Sequence, residues 1–228
     1  MSVPFPMSLI PSTPQALLQS FSADAGKVLL LTGEDDIFRL SHRVAGEILR
    51  RGEPVVLVDG CNRFDIQAII RLARQWNVNP DLFLSHCFIS RGFTCYQVEA
   101  TLTERLPAFL QRVNARCAFV FGLLDTFYDE QAPMRDVLLI LKRVIAALNQ
   151  MKARGVSVLL TSKEWNVLPR ERQRLFFDLR GEMDWVYRLN RSAGESLQLF
   201  IEQRRLPART AGKGGTNGTH RTYVHEYS

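Results

Sequence analysis

Five short apolar runs, each followed by a segment that can form an amphipathic helix, constrain this chain more than any other feature. They lie at 27–32, 54–59 (PVVLVD), around Phe88 to Ser90, at 117–122 (CAFVFG) and at 156–161 (VSVLLT). Apolar runs without polar alternation suit strands covered on both faces. A helix is expected over 37–51, with Leu40, Val44, Ile48 and Leu49 on one face, and another over 66–76, with Ile66, Ile69, Ile70 and Ala73. Asp65 can cap the second helix, and Arg50-Arg51-Gly52 can end the first. A third helix, Gln97 to Val113, should kink or restart near Pro107; a fourth spans 133–153 and ends at Gly155. This alternation predicts an α/β fold with a mostly parallel central sheet and helices on both faces. Segments 183–190 and 196–203, joined through Ser192-Ala193-Gly194, read as a C-terminal β-hairpin.

The expected organisation is a proline-punctuated lead-in (1–26, with a short helix Pro14 to Phe21), a core (27–207) and a flexible glycine- and threonine-rich tail (208–228). At 228 residues and 46% hydrophobic the chain can bury one sizeable core. No apolar run approaches the roughly 20 residues of a membrane span. The opening MSVPFPMSLIPSTP lacks a basic region and is broken by prolines, so it is not expected to act as a signal peptide. Cys61, Cys87, Cys95 and Cys117 form no C-x-x-C pair, and His86-Cys87 has nothing to complete a metal set. Buried reduced thiols in a cytoplasmic protein are expected, nucleoid-associated if the source is bacterial. The net charge of +6 comes almost wholly from arginine; it fits an acidic partner such as DNA and equally fits arginine-rich codon usage.

In open α/β sheets, ligand chemistry gathers at the carboxyl ends of the strands. That edge should hold Gly33–Arg39, Asp59–Asn62, Gly122–Asp125 and Thr161–Lys163. The first of these has the outline of a phosphate-binding loop, G-x-x-x-x-G-K-[ST]. Gly33 fills the first position, but Phe38, Arg39 and Leu40 replace the second glycine, the lysine and the hydroxyl residue. Asp35 and Asp36 lie between them and would repel phosphate. Asp59 and Asp125 can be read as a metal pair or as structural caps, and the absence of a histidine nearby favours caps.

The order of these strings resembles the RecA/RadA superfamily ATPase core over roughly residues 15–205. LTGEDDIFRLS is similar to the family's phosphate loop, VVLVDGCNRFDIQAIIRLARQ to its second strand and following helix, and Ser90-Arg91-Gly92-Phe93 to the end of its third. CAFVFGLLDTFYDE is similar to the Walker B strand, and VSVLLTSKEW to the fifth strand with its sensor. The resemblance implies a RecA-like sheet with degenerate Walker motifs. It puts the phosphate-cradling lysine at Arg39, the magnesium-binding hydroxyl at Leu40, the Walker B aspartate at Gly122, the catalytic glutamate at Cys61 and the sensor glutamine at Lys163. Phosphoryl transfer needs the lysine, the metal and the water-orienting acid together. A pseudo-ATPase without catalytic residues, metal or cofactor is therefore expected. Under the alternative, an ATPase with a remodelled site, ATP and magnesium would be held by Gly33, Arg39 and Asp125.

The resemblance also implies a DNA-contacting loop after the fifth strand, where Lys163, Trp165, Arg170, Arg172 and Arg174 are the candidate DNA-binding residues. The competing reading is a solvated helix, Pro169 to Leu179, with Leu175, Phe176 and Leu179 toward the core. Residues 1–14, with Val3, Phe5, Met7, Leu9 and Ile10, could dock on a partner subunit, giving a homo- or hetero-oligomer. Arg204, Arg205, Arg209, Lys213 and Arg221 could trail along nucleic acid, and Tyr223 to Tyr227 could add to a sheet edge. The expected function is that of an inactive RecA-like accessory protein in DNA recombination, repair or the damage response. It would resemble SulA and ImuA in logic, with a recombinase or DNA polymerase as partner, single-stranded DNA as a further contact and no membrane. A structural subunit without DNA contact is the remaining alternative.

Overall fold

The computed structural model describes residues 10–21, 26–163, 170–191 and 197–204. Strand β1 (Ile10–Ser12) and helix α1 (Pro14–Phe21) lead into β2 (Val28–Gly33), α2 (Asp36–Arg50), β3 (Val55–Asp59), α3 (Ile66–Gln75), α4 (Pro80–Ser85) and β4 (Cys87–Arg91). Then follow α5 (Cys95–Ala100), a π turn at Thr101–Arg105, α6 (Leu106–Arg112), β5 (Cys117–Phe121), α7 (Met134–Ala153) and β6 (Ser157–Lys163). A 3-10 turn (Arg170–Arg172), α8 (Gln173–Gly181), β7 (Trp185–Arg191) and β8 (Leu197–Arg204) complete the described elements.

The eight strands form one sheet in the order β1-β8-β7-β2-β6-β5-β3-β4. Every pairing from β7 to β4 is parallel; β8 runs antiparallel to β7, and β1 antiparallel to β8. The apolar runs became strands buried along their whole length in β2, β3 and β5. Alternate side chains feed two cores. Leu29, Leu31, Leu57 and Phe119 face α1, α2, α3 and α4; Leu30, Val58, Val120 and Leu160 face α5, α6, α7 and α8. The result is an α/β architecture with helices on both faces of a mostly parallel sheet.

Where the elements differ from expectation, the chemistry explains why. Pro107 has no N–H to give an uninterrupted helix, so the chain passes through the π turn and restarts at Leu106, with the proline in the first turn of α6. Helix α4 is not among the expected helices; Asn79 caps it by accepting the Asp81 N–H, and Pro80 opens it. The segment 10–21, read as part of a lead-in, belongs to the core layer: Leu17 and Phe21 are fully buried, and Phe21 meets Phe119 edge-on at 5.1 Å. Ile10–Ser12 pairs with β8 of its own chain, while residues 1–9 and the tail candidates from 205 onward lie outside the described residues. The second half of the connection 164–181 is helical, with Leu175 and Leu179 buried, as the competing reading of that segment has it.

Candidate functional site: a closed loop at the sheet edge

Helix α2, the element after β2, packs on one face of the sheet and α8 packs on the other, while β2 and β6 are neighbours, the kind of switch point where open α/β sheets place ligands. Gly33 and Lys163 are register partners there. Gly33 has φ +144, and a Cβ on it would stand 2.4 Å from the Leu189 carbonyl oxygen. Only glycine fits that crossing of β2 and β7.

Beyond Gly33 the backbone turns into α2, where the Ile37 and Phe38 N–H groups donate to the Glu34 and Asp35 carbonyl oxygens at 3.1 and 3.2 Å, and the positive end of the helix dipole still favours negative charge. The chain supplies negative charge itself. Asp35 accepts the Lys163 ammonium and has Arg63 at 3.6 Å. Asp36 takes Arg191 at 2.5 Å and Arg39 at 3.2 Å. The hydrogen bond from Lys163 holds the Asp35 carboxyl below the usual carboxylate range, although Asp35 is largely exposed. Pairs this exposed contribute at most about 1 kcal/mol each. Their consequence is occupancy: the cations that could meet a phosphate already meet a carboxylate.

The neighbouring loops are closed as well. The Asp59 carboxylate accepts the backbone N–H groups of Cys61 (3.3 Å), Arg63 (3.1 Å) and Phe64 (3.0 Å), and so acts as a structural cap. Gly122 sits at φ +59 and donates its N–H to Thr161 Oγ1 at 3.1 Å. A Cβ there would lie 2.4 Å from Cys61 Cβ, 2.5 Å from its Sγ and 2.7 Å from Asp125 Oδ2. An aspartate cannot occupy position 122 in this backbone. Burial, joined by the charges of Asp125 and Asp59, pushes the Cys61 thiol far up and favours its protonated form. Burial likewise raises the Asp125 carboxyl, against the pull of Lys163 and Arg63. Among the described residues no group of three or more His, Cys, Asp or Glu is placed to hold a metal ion.

The structure brings Gly33, Asp125 and Lys163 to this edge and leaves Arg39 outward, its side chain 79% exposed on the second turn of α2. Leu40 is buried. The candidate DNA residues separate. Arg170 is exposed, and Arg174 is exposed and pairs with Asp178 at 3.1 Å. Arg172 is only 3% exposed and donates to the carbonyl oxygens of Phe127 and Ala132, both at 2.6 Å. Its place as a DNA contact is corrected: its guanidinium ties the chain before α8 to the loop after β5. Lys163 is committed to Asp35, and Trp165 lies outside the described residues.

Sequence reasoning missed Asp36–Arg191, Arg63 and His42. His42 is buried; one ring nitrogen, Nδ1, bonds to the Phe38 carbonyl oxygen at 2.5 Å, and Nε2 accepts the Asp65 N–H at 2.9 Å. It thus joins α2 to the cap of α3. Its spacing of four from Phe38 on the apolar face of α2 was the available signal. No helix of the described residues is long and apolar enough to cross a membrane. Neither a protein-family model nor a curated protein matches the chain.

Proposed function

We propose that this chain is a catalytically inactive RecA-like accessory protein of DNA recombination, repair or the damage response. It acts through a recombinase or polymerase partner, with single-stranded DNA as a further contact. The carrying observation is the closed loop. Where a nucleotide's phosphates would rest, Asp35 and Asp36 already engage Lys163, Arg63 and Arg191. Steric closure at Gly122 supports the same reading, because the position matching a metal-binding aspartate has no room for one. For DNA, the exposed Arg170 and Arg174 are the residues that support contact.

Thermal unfolding with ATP and magnesium tests the reading. A ligand at one hundred times its Kd stabilises the folded state by about 2.7 kcal/mol, or about 5 to 10 °C for a chain of this size. No rise is expected for the natural sequence. In a D35N/D36N variant the freed cations should let inorganic tripolyphosphate raise the Tm. A clear rise with ATP–magnesium in the natural sequence would overturn the proposal in favour of a remodelled ATPase using Arg39 and Asp125.

A further inference from the structure

A groove of 1340 Å³ adjoins the closed loop and extends well beyond it. It is lined by the first turns of α2, one face of α3, the start of α1 and the outer part of β8. Helix α3 and its cap contribute Asp65, Ala68, Arg71, Leu72 and Gln75, which recur every three residues apart from the adjacent Arg71 and Leu72 and so share one side. Helix α2 contributes Arg39 and Arg43, one turn apart.

The charges do not balance. Among the described residues four arginines line the groove (Arg39, Arg43, Arg63 and Arg71) against Asp35 and Asp65 in its lining and Asp36 beside it, which Arg39 shares with Arg191. Asp35 is shared by Lys163 and Arg63, and Asp65 pairs with Arg71 at 2.8 Å. Arg43 is exposed and forms no ion pair with any described residue. An anionic partner would therefore find cations that internal acids do not fully neutralise.

The rest of the lining says which anion fits. Leu72 and Phe200 are half-buried and Leu197 is 46% exposed, so apolar side chains share the groove with the arginines. Gln15, Gln75 and Gln198 add side-chain amides, which can both donate to and accept from a peptide backbone. Single-stranded nucleic acid needs several exposed rings for its bases to stack on, and among the described residues Phe200 is the one aromatic lining residue with appreciable exposure. The geometry points to a docking groove for an acidic segment of a partner protein, with leucine-like residues interleaved among its carboxylates. The apolar residues would seat on Leu72, Leu197 and Phe200, and the carboxylates would meet Arg43 and Arg71.

The test is fluorescence anisotropy of the full chain with a labelled synthetic peptide of interleaved glutamate and leucine. Controls are the same peptide with glutamine for glutamate, one with serine for leucine, and an oligo-thymidylate. The glutamate–leucine peptide should bind, and each altered peptide should bind at least about tenfold more weakly. Arg43→Glu should weaken binding by about tenfold and Arg43→Glu with Arg71→Glu should abolish it, whereas Arg154→Glu, outside the groove, should leave it intact. Arg43 has no ion pair with a described residue to lose, so the single variant keeps the test valid if the double variant misfolds. Failure of the glutamate–leucine peptide to bind, equal binding of the glutamate–serine peptide, tighter binding of oligo-thymidylate, or indifference to Arg43→Glu would each overturn the proposal. It fails separately from the nucleotide reading: a Tm rise with ATP bears on the loop, and peptide anisotropy bears on the groove.

Discussion

Replacing Arg172 with alanine should destabilise the fold rather than remove a DNA contact. The guanidinium is 3% exposed and gives two hydrogen bonds of 2.6 Å to the carbonyl oxygens of Phe127 and Ala132. Removing it strands two buried acceptors, each costing about 1–3 kcal/mol. Part of that cost is offset. Among the described residues no carboxylate pairs with Arg172 and its Nε has no partner, so its own burial is unfavourable. The net expectation is a loss of about 3 kcal/mol, which lowers the Tm by about 6 to 12 °C in a chain of this size. Arg172→Lys keeps a donor but loses the fork and should fall between. Arg170→Ala with Arg174→Ala should change stability by no more than about 0.5 kcal/mol and weaken any single-strand binding. Urea unfolding followed by circular dichroism gives the stabilities, and binding is read well below every midpoint. If Arg172→Ala proved as stable as the natural protein, or lost DNA binding while fully folded, the assignment of Arg172 as a tie would be wrong.

Gly122→Asp, the change that would restore an acid at the resembled Walker B position, should destabilise by about 3 kcal/mol through the positive φ and the contact with Cys61. It should leave the Tm unresponsive to ATP–magnesium; differential scanning calorimetry checks both. Burial holds the His42 pKa below its ordinary 6.5, so the unfolded chain takes up a proton at mildly acid pH that the folded chain refuses. Stability from this group is complete above about pH 6.5 and is lost as pH falls toward the folded pKa. His42→Phe should remove that slope in urea titrations at about pH 8 and about pH 5, at a cost of about 1 kcal/mol for the unpaired Asp65 N–H.

The sheet was legible because its strands are buried on both faces, and a run such as Val55 to Val58 has no other stable use. Helices with a strong apolar face, such as α2 and α3, were legible for the same reason. The site was legible only as a set of losses. Nothing local in Asp35 or Asp36 says that Lys163 and Arg191 will reach them, because those pairs join positions about 130 and 155 residues apart, and the sheet order alone brings them together. Arg172 was misread for a related reason. Its neighbours Arg170 and Arg174 are exposed, and periodicity cannot reveal that a short 3-10 turn rotates the middle arginine inward to two carbonyls. The groove is not legible in the sequence because its arginines come from α2 (Arg39 and Arg43), α3 (Arg71) and the loop before α3 (Arg63).

A phosphate-binding loop and this loop face the same electrostatic requirement. The start of α2 carries the positive end of the helix dipole, and Lys163, Arg63 and Arg191 converge beside it. A bound nucleotide would supply the compensating charge from outside; Asp35 and Asp36 supply it permanently from within. Each closure supports another. Gly122 must stay small because Cys61 and Asp125 crowd it, and Cys61 is held there by the Asp59 cap. A lysine at position 39 would stand on the exposed second turn of α2, beside Asp36. No single reversion therefore rebuilds a nucleotide site: an acid at 122 clashes, a lysine at 39 faces outward, and removing the two aspartates yields only a bare anion site. The positive charge that internal acids leave incompletely neutralised lies in the neighbouring groove, where Arg43 is exposed and pairs with no described carboxylate.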